Sequence, residues 1–143
     1  MPYSPILGPV VALVAWTLVM TIWMYATRFP AMARKGISLK GRVGSKGGDL
    51  DGVVEPQVQW KAHNHNHLLE QPTLFYAICI TLALMEFGGG INLYLAWAYV
   101  GFRVIHSLIQ ATVNVVRFRF LAFLAASLCL YALTIRAILA FLG

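Results

Sequence analysis

Five polar residues on one stretch of the chain have the types and spacing to hold a polar ligand. The stretch INLYLAWAYVGFRVIHSLIQATVNVV carries Tyr99, Arg103, His106, Gln110 and Asn114. Their steps of four, three, four and four place them on one face of a helix. The rest of the stretch is apolar enough to lie in a membrane. An arginine at the centre of a membrane helix costs roughly 2.5–3.5 kcal/mol on insertion scales. That cost is met where the charge faces other helices or a polar cavity, so the line points to a buried polar site.

A second set precedes it. His63, Asn66 and Glu70 are three and four residues apart and share a helix face, with His67 beside them. Glu70 can pair with Arg103 or His106 while Asn66 offers amide hydrogen bonds to a ligand. The alternative is a purely structural Glu70–Arg103 ion pair. The run His63-Asn64-His65-Asn66-His67 puts two imidazoles at i,i+4, a zinc-like spacing. No cysteine or second histidine pair joins them, so no metal site is assigned. Arg117 and Arg119 follow the first set. Either anchors the chain at an interface, or one turns inward to stabilise a carboxylate or thiolate, for which a fixed guanidinium fork is suited.

These residues need helices to position them. The chain has 143 residues, 59% hydrophobic and 11% charged, with mean hydropathy +0.72. Soluble domains carry about 25% charged residues, so the composition describes a single-domain, all-α integral membrane protein. Four transmembrane helices are expected, over about 5–28, 57–87, 91–115 and 117–141. The first is uncharged over a membrane-spanning length, and reads as a span and not as a cleaved signal. Six glycines in 36–52 mark a flexible loop within 29–56. Pro72 is expected to kink helix two. Cys79 and Cys129 read as small buried hydrophobes.

The net charge is +6, and seven of the eleven Lys and Arg lie from Arg28 to Lys61. In so apolar a chain this reads as positive-inside topology and not as nucleic-acid contact. The loop 29–56 and the connection 115–119 are then cytoplasmic, with both termini on the opposite side. The turn at Gly88–Gly90 makes helices two and three antiparallel neighbours. Counting from it at 1.5 Å per residue, Glu70 lies about 24 Å down one helix and His106 about 22 Å down the other. Polar groups at matching levels are what a shared site between the two helices requires.

Two motifs carry a resemblance. Lys61-Ala62-His63, followed by Asn66, Glu70, Pro72 and Phe75, and then Arg103-Val104-Ile105-His106, are similar to motifs of the MAPEG family, the membrane-associated proteins in eicosanoid and glutathione metabolism. The resemblance extends over nearly the whole chain. It implies a homotrimer of four-helix bundles with glutathione as co-substrate, held between subunits in the cytoplasmic half of the membrane. His63, Asn66, Glu70, Arg103, His106 and Gln110 would bind the tripeptide, with Arg34 or Lys35 a looser match. Arg119 matches the arginine that steadies the glutathione thiolate. A hydrophobic electrophile would enter from the lipid. The implied activity is that of a glutathione transferase or peroxidase, and the alternative is a non-catalytic lipid- or partner-binding protein. The chain departs from the pattern at several positions, Lys61 among them, a lysine in place of arginine and two residues further from the glutamate. Asn66 and Glu70 are four residues apart instead of three, and Gln110 and Phe123 stand where aromatic hydroxyls are expected.

Overall fold

The computed structural model describes residues 3–38 and 40–143. Five α-helices follow one another: α1 (Leu7–Arg34), α2 (Pro56–Leu68), α3 (Pro72–Leu84), α4 (Gly90–Ala111) and α5 (Val116–Leu142). A single 3-10 turn, Gly47–Leu50, lies in the loop after α1, and no strand occurs among the described residues. Three stretches each hold a run of 18 residues apolar enough to cross a membrane: Leu7–Arg34, Pro56–Leu84 and Val116–Leu142, the runs having mean hydropathy 1.9, 1.2 and 1.9. The fourth expected span, α4, falls short of that measure because Arg103, His106 and Gln110 interrupt it. The long apolar side chains on the outside, among them Leu18, Ile22, Leu74, Leu84 and Leu128, suit a lipid environment and not water.

The second expected helix is interrupted. Pro72 has no N–H to donate and its ring clashes with the carbonyl four residues back. The chain answers with a tight turn over residues 69–71, in which Leu69 N–H donates to Asn66 O at 3.1 Å and Glu70 N–H to His67 O at 3.2 Å. What was expected as one kinked helix is therefore two, α2 and α3. The main core lies between α1, α3, α4 and α5 and contains Leu13, Met20, Phe75, Cys79, Tyr99 and Leu133.

Two boundaries differ from the sequence expectation because tertiary contacts set them. Helix α1 continues to Arg34, since Ala31 and Met32 pack with Leu50, Val54 and Val58 in a second core. The loop 29–56, expected to be flexible, is therefore partly helix and partly a packed cap. Buried Gln59 fastens it, donating Nε2 to Gly47 O at 3.2 Å and to Asp51 Oδ1 at 2.7 Å. That bond, then the contact with His63, holds the Asp51 carboxyl below the usual carboxylate range. At the other boundary α4 stops at Ala111, not 115. Asn114 turns into the left-handed region at φ 50, a conformation asparagine tolerates, and so leaves the face of α4.

Helix α3 ends in a Schellman motif, with Phe87 N–H donating to Leu82 O at 2.9 Å and Glu86 N–H to Ala83 O at 3.2 Å. Glu86 sits at the left-handed position with φ 63, where a glycine would be unstrained. Gly88 is needed for a different reason, since a Cβ there would meet Ser4 Oγ at 1.9 Å.

Glu86→Gly should raise stability by about 1 kcal/mol by relieving the left-handed strain, seen as a higher unfolding midpoint in detergent. An unchanged or lower midpoint would contradict the cap geometry. Gln59→Leu should release the cap, so that trypsin cuts after Arg42 and Lys46 several-fold faster under native conditions. Unaltered cleavage would mean that the loop is not held by Gln59.

Candidate functional site

The buried face of α4 is the polar line itself. Tyr99, Arg103, His106, Ser107 and Gln110 all point inward, and Arg103 has no exposed surface. Helix α2 answers with Asn64 and His67, the turn with Gln71, and α5 with Phe123 and Ser127. Three polar layers result. Tyr99 OH donates to Gln71 Oε1 at 3.0 Å, and Gln71 Nε2 donates to Ser127 Oγ at 3.0 Å. In the middle layer Arg103 Nη2 lies 2.8 Å from His67 Nδ1 and donates to His67 O at 3.3 Å. Below it Ser107 Oγ donates to Asn64 Oδ1 at 2.7 Å.

The middle layer has defined protonation. A guanidinium only donates, so His67 accepts at Nδ1 and carries its proton on Nε2. The His67 ring stacks on His106 with centroids 4.7 Å apart. Phe123 meets His67 edge-on at 5.3 Å and lies under the Arg103 guanidinium at 5.8 Å, a cation–π distance. No carboxylate pairs with Arg103 among the described residues. Arg103 Nε and Nη1, His106 Nδ1, Gln110 Oε1 and Asn64 Nδ2 are buried without a hydrogen-bond partner in the chain. They are polar atoms that a ligand or water could satisfy.

The structure divides the candidates into separate groups. Arg103, His106 and Gln110 come together inside. His63, Asn66 and Glu70 are exposed on the outer face of α2 and its turn. The expected pairing of Glu70 with Arg103 or His106 is not made, because α2 presents the stripe displaced by one residue, Asn64, His67 and Gln71. His63 Nε2 instead lies 3.1 Å from Asp51 Oδ1. Asn114, expected in the polar line, lies beyond the helix and accepts a bond from Arg119 Nη1 at 2.6 Å. Arg119 is half-buried. Arg34 is exposed, with Nη2 3.7 Å from Glu55 Oε2, far along the chain from the inner group.

Lys61 acts at the end of α4, where Nζ donates to Ala111 O at 3.1 Å and stands 5.1 Å from the Trp23 ring centre. A cation there complements the helix C-terminus. Asn64, Gln71 and Ser127 were not among the sequence candidates, and His67 was named only beside the stripe His63, Asn66 and Glu70, although Asn64, His67 and Gln71 repeat the same three-and-four spacing. No three His, Cys, Asp or Glu side chains converge on a metal position among the described residues.

The MAPEG family model matches residues 6–139. The chain belongs to this family. Comparison with curated proteins and with solved structures gave no match. Membership places the polar seam and the outer α2 stripe in an integral membrane protein of a family concerned with eicosanoid and glutathione metabolism.

Removing the acceptor from the middle layer should be costly, because Arg103 then stays buried without its imidazole. His67→Leu should lose about 2–4 kcal/mol of stability, whereas His67→Asn, which keeps an acceptor near Nδ1, should recover at least half. Unfolding midpoints of the purified variants decide this, and equal midpoints would show that Arg103 does not depend on His67.

Proposed function

We propose that this MAPEG protein is a glutathione-dependent membrane transferase or peroxidase acting on hydrophobic electrophiles. The observation that carries the reading is the exposed stripe His63, Asn66 and Glu70 on α2 and its turn, at the basic end of a MAPEG chain. Its imidazole, amide and carboxylate groups suit a charged, hydrogen-bonding ligand such as a tripeptide. A homotrimer would cover the stripe with a neighbouring subunit, leaving it to bind the tripeptide between the two. Helix α4, about 33 Å long at 1.5 Å per residue, is the fourth membrane helix in this reading. Its Arg103, His106 and Gln110 support the site from within. Arg34 approaches from the neighbouring subunit, and the loop 29–56 and the connection 115–119 lie in the cytoplasm.

Arg119 is the proposed catalytic group. It gives one bond to Asn114, leaving guanidinium donors for an anion. Beside a bound thiol such a cation favours the thiolate near neutral pH. The thiolate sulfur then bonds to an electrophilic atom of a substrate arriving from the bilayer, and the displaced group leaves with the electron pair. A second reading, a non-catalytic lipid- or partner-binding protein, draws support from Phe123, which packs on His67 and offers no hydroxyl.

Calorimetric titration of glutathione, with thiolate absorbance followed near neutral pH, tests the proposal. Saturable binding with a thiolate signal is expected. Arg119→Ala should leave binding within about tenfold and abolish most of the signal, as the loss of one charge-assisted contact predicts. An unchanged thiolate signal in Arg119→Ala would remove the arginine from the chemistry. Absence of binding at millimolar glutathione would leave the non-catalytic reading.

A further inference from the structure

A cavity of about 210 Å³ lies away from the polar seam, between the last turns of α1 and the loop cap. Its walls include Tyr25, Arg28, Phe29, Arg42, Lys46 and Gly47, and no acidic side chain lines it. The nearby acids are already engaged. Asp49 Oδ2 accepts from Lys46 N–H at 3.0 Å and from the Ser45 hydroxyl at 3.2 Å, and Asp51 Oδ1 accepts from Gln59. The three basic side chains have few partners. Arg28 gives one long bond, 3.5 Å to Gln59 Oε1, and its buried Nε has none. Arg42 donates Nε to Ser38 O at 2.9 Å. Gly47 lies so close to the Arg28 guanidinium that a Cβ would come within 2.9 Å of Nη2. Only a glycine at position 47 leaves room for the guanidinium at the wall.

An apolar track leads to this cavity. Val11, Val14, Leu18, Ile22, Tyr25 and Phe29 are all exposed, and their steps of three and four keep them on one face of α1. The track is about 27 Å long at 1.5 Å per residue, close to the thickness of a hydrocarbon core. It ends in the stacked Tyr25 and Phe29 rings, with centroids 5.4 Å apart, the aromatic pairing expected at a membrane interface. Both rings line the cavity.

We propose that this cavity holds the phosphate of an anionic phospholipid, with an acyl chain lying along the α1 track. Arginine and lysine donors meet the phosphate oxygens, and the aromatic pair marks the depth at which headgroup gives way to chain. A free phosphate offers the same oxygens but no hydrocarbon, and the track distinguishes the two.

The test is native mass spectrometry of the full-length protein in detergent, with phosphatidylglycerol and phosphatidylcholine of identical chains. Phosphatidylglycerol should be retained about tenfold more strongly, as two or three interfacial cations predict. The exposed pair Arg42→Gln/Lys46→Gln should bring the two lipids to parity without lowering the unfolding midpoint. Lys35→Gln/Lys40→Gln removes the same charge from the loop outside the cavity and should retain the preference. Equal retention of both lipids by the wild type, or equal loss in both variants, would overturn the proposal. Displacement of the lipid by inorganic phosphate at the same concentration would reassign the site to a soluble anion. Displacement by glutathione would reassign it to the tripeptide.

Discussion

The fold depends on how one buried guanidinium is accommodated. Arg103 has no exposed surface and, among the described residues, no carboxylate pairs with it, so its charge is met by neutral acceptors and an aromatic face. That solution constrains three elements at once. It fixes the rotation of α2 so that His67 reaches α4. It sets the His67 tautomer, because a guanidinium has no lone pair to offer. It brings Phe123 of α5 against both. The stack of His67 on His106 then follows from the same geometry and extends the seam by one turn of α4.

Helix α2 and its turn consequently have two faces with different tasks. The inner stripe, Asn64, His67 and Gln71, spends its hydrogen-bonding capacity on Ser107, Arg103 and Tyr99. The outer stripe, His63, Asn66 and Glu70, is left outside, and among the described residues its side chains make one hydrogen bond, His63 to Asp51. The break before Pro72 marks the change in character, with polar α2 at the basic end and apolar α3 in the membrane.

At that basic end, the extension of α1 and the capping loop build a wall that hydropathy does not reveal. Met32 and Ala31 bury against Leu50 and Val58, and Gln59 ties the loop to the start of α2. Arginine and lysine side chains collected there are brought around one cavity by packing and not by their order in the chain. The charge asymmetry of the sequence is thereby given a location.

The sequence by itself determined the membrane character, the buried line Tyr99, Arg103, His106 and Gln110 on α4, and the family. These follow from local periodicity and motif spacing. A line of polar residues on an otherwise apolar helix has only one face to bury. Helix α2 gives no such answer. Its stripes His63, Asn66, Glu70 and Asn64, His67, Gln71 share one spacing and differ by a single residue, about 100° around the axis. Only the contact with Arg103 decides which turns inward. The structure alone also placed Asn114 beyond α4 on Arg119, carried α1 to Arg34, and packed a loop that its glycines made look free. In each case the deciding contact comes from another part of the chain, and local pattern cannot report it.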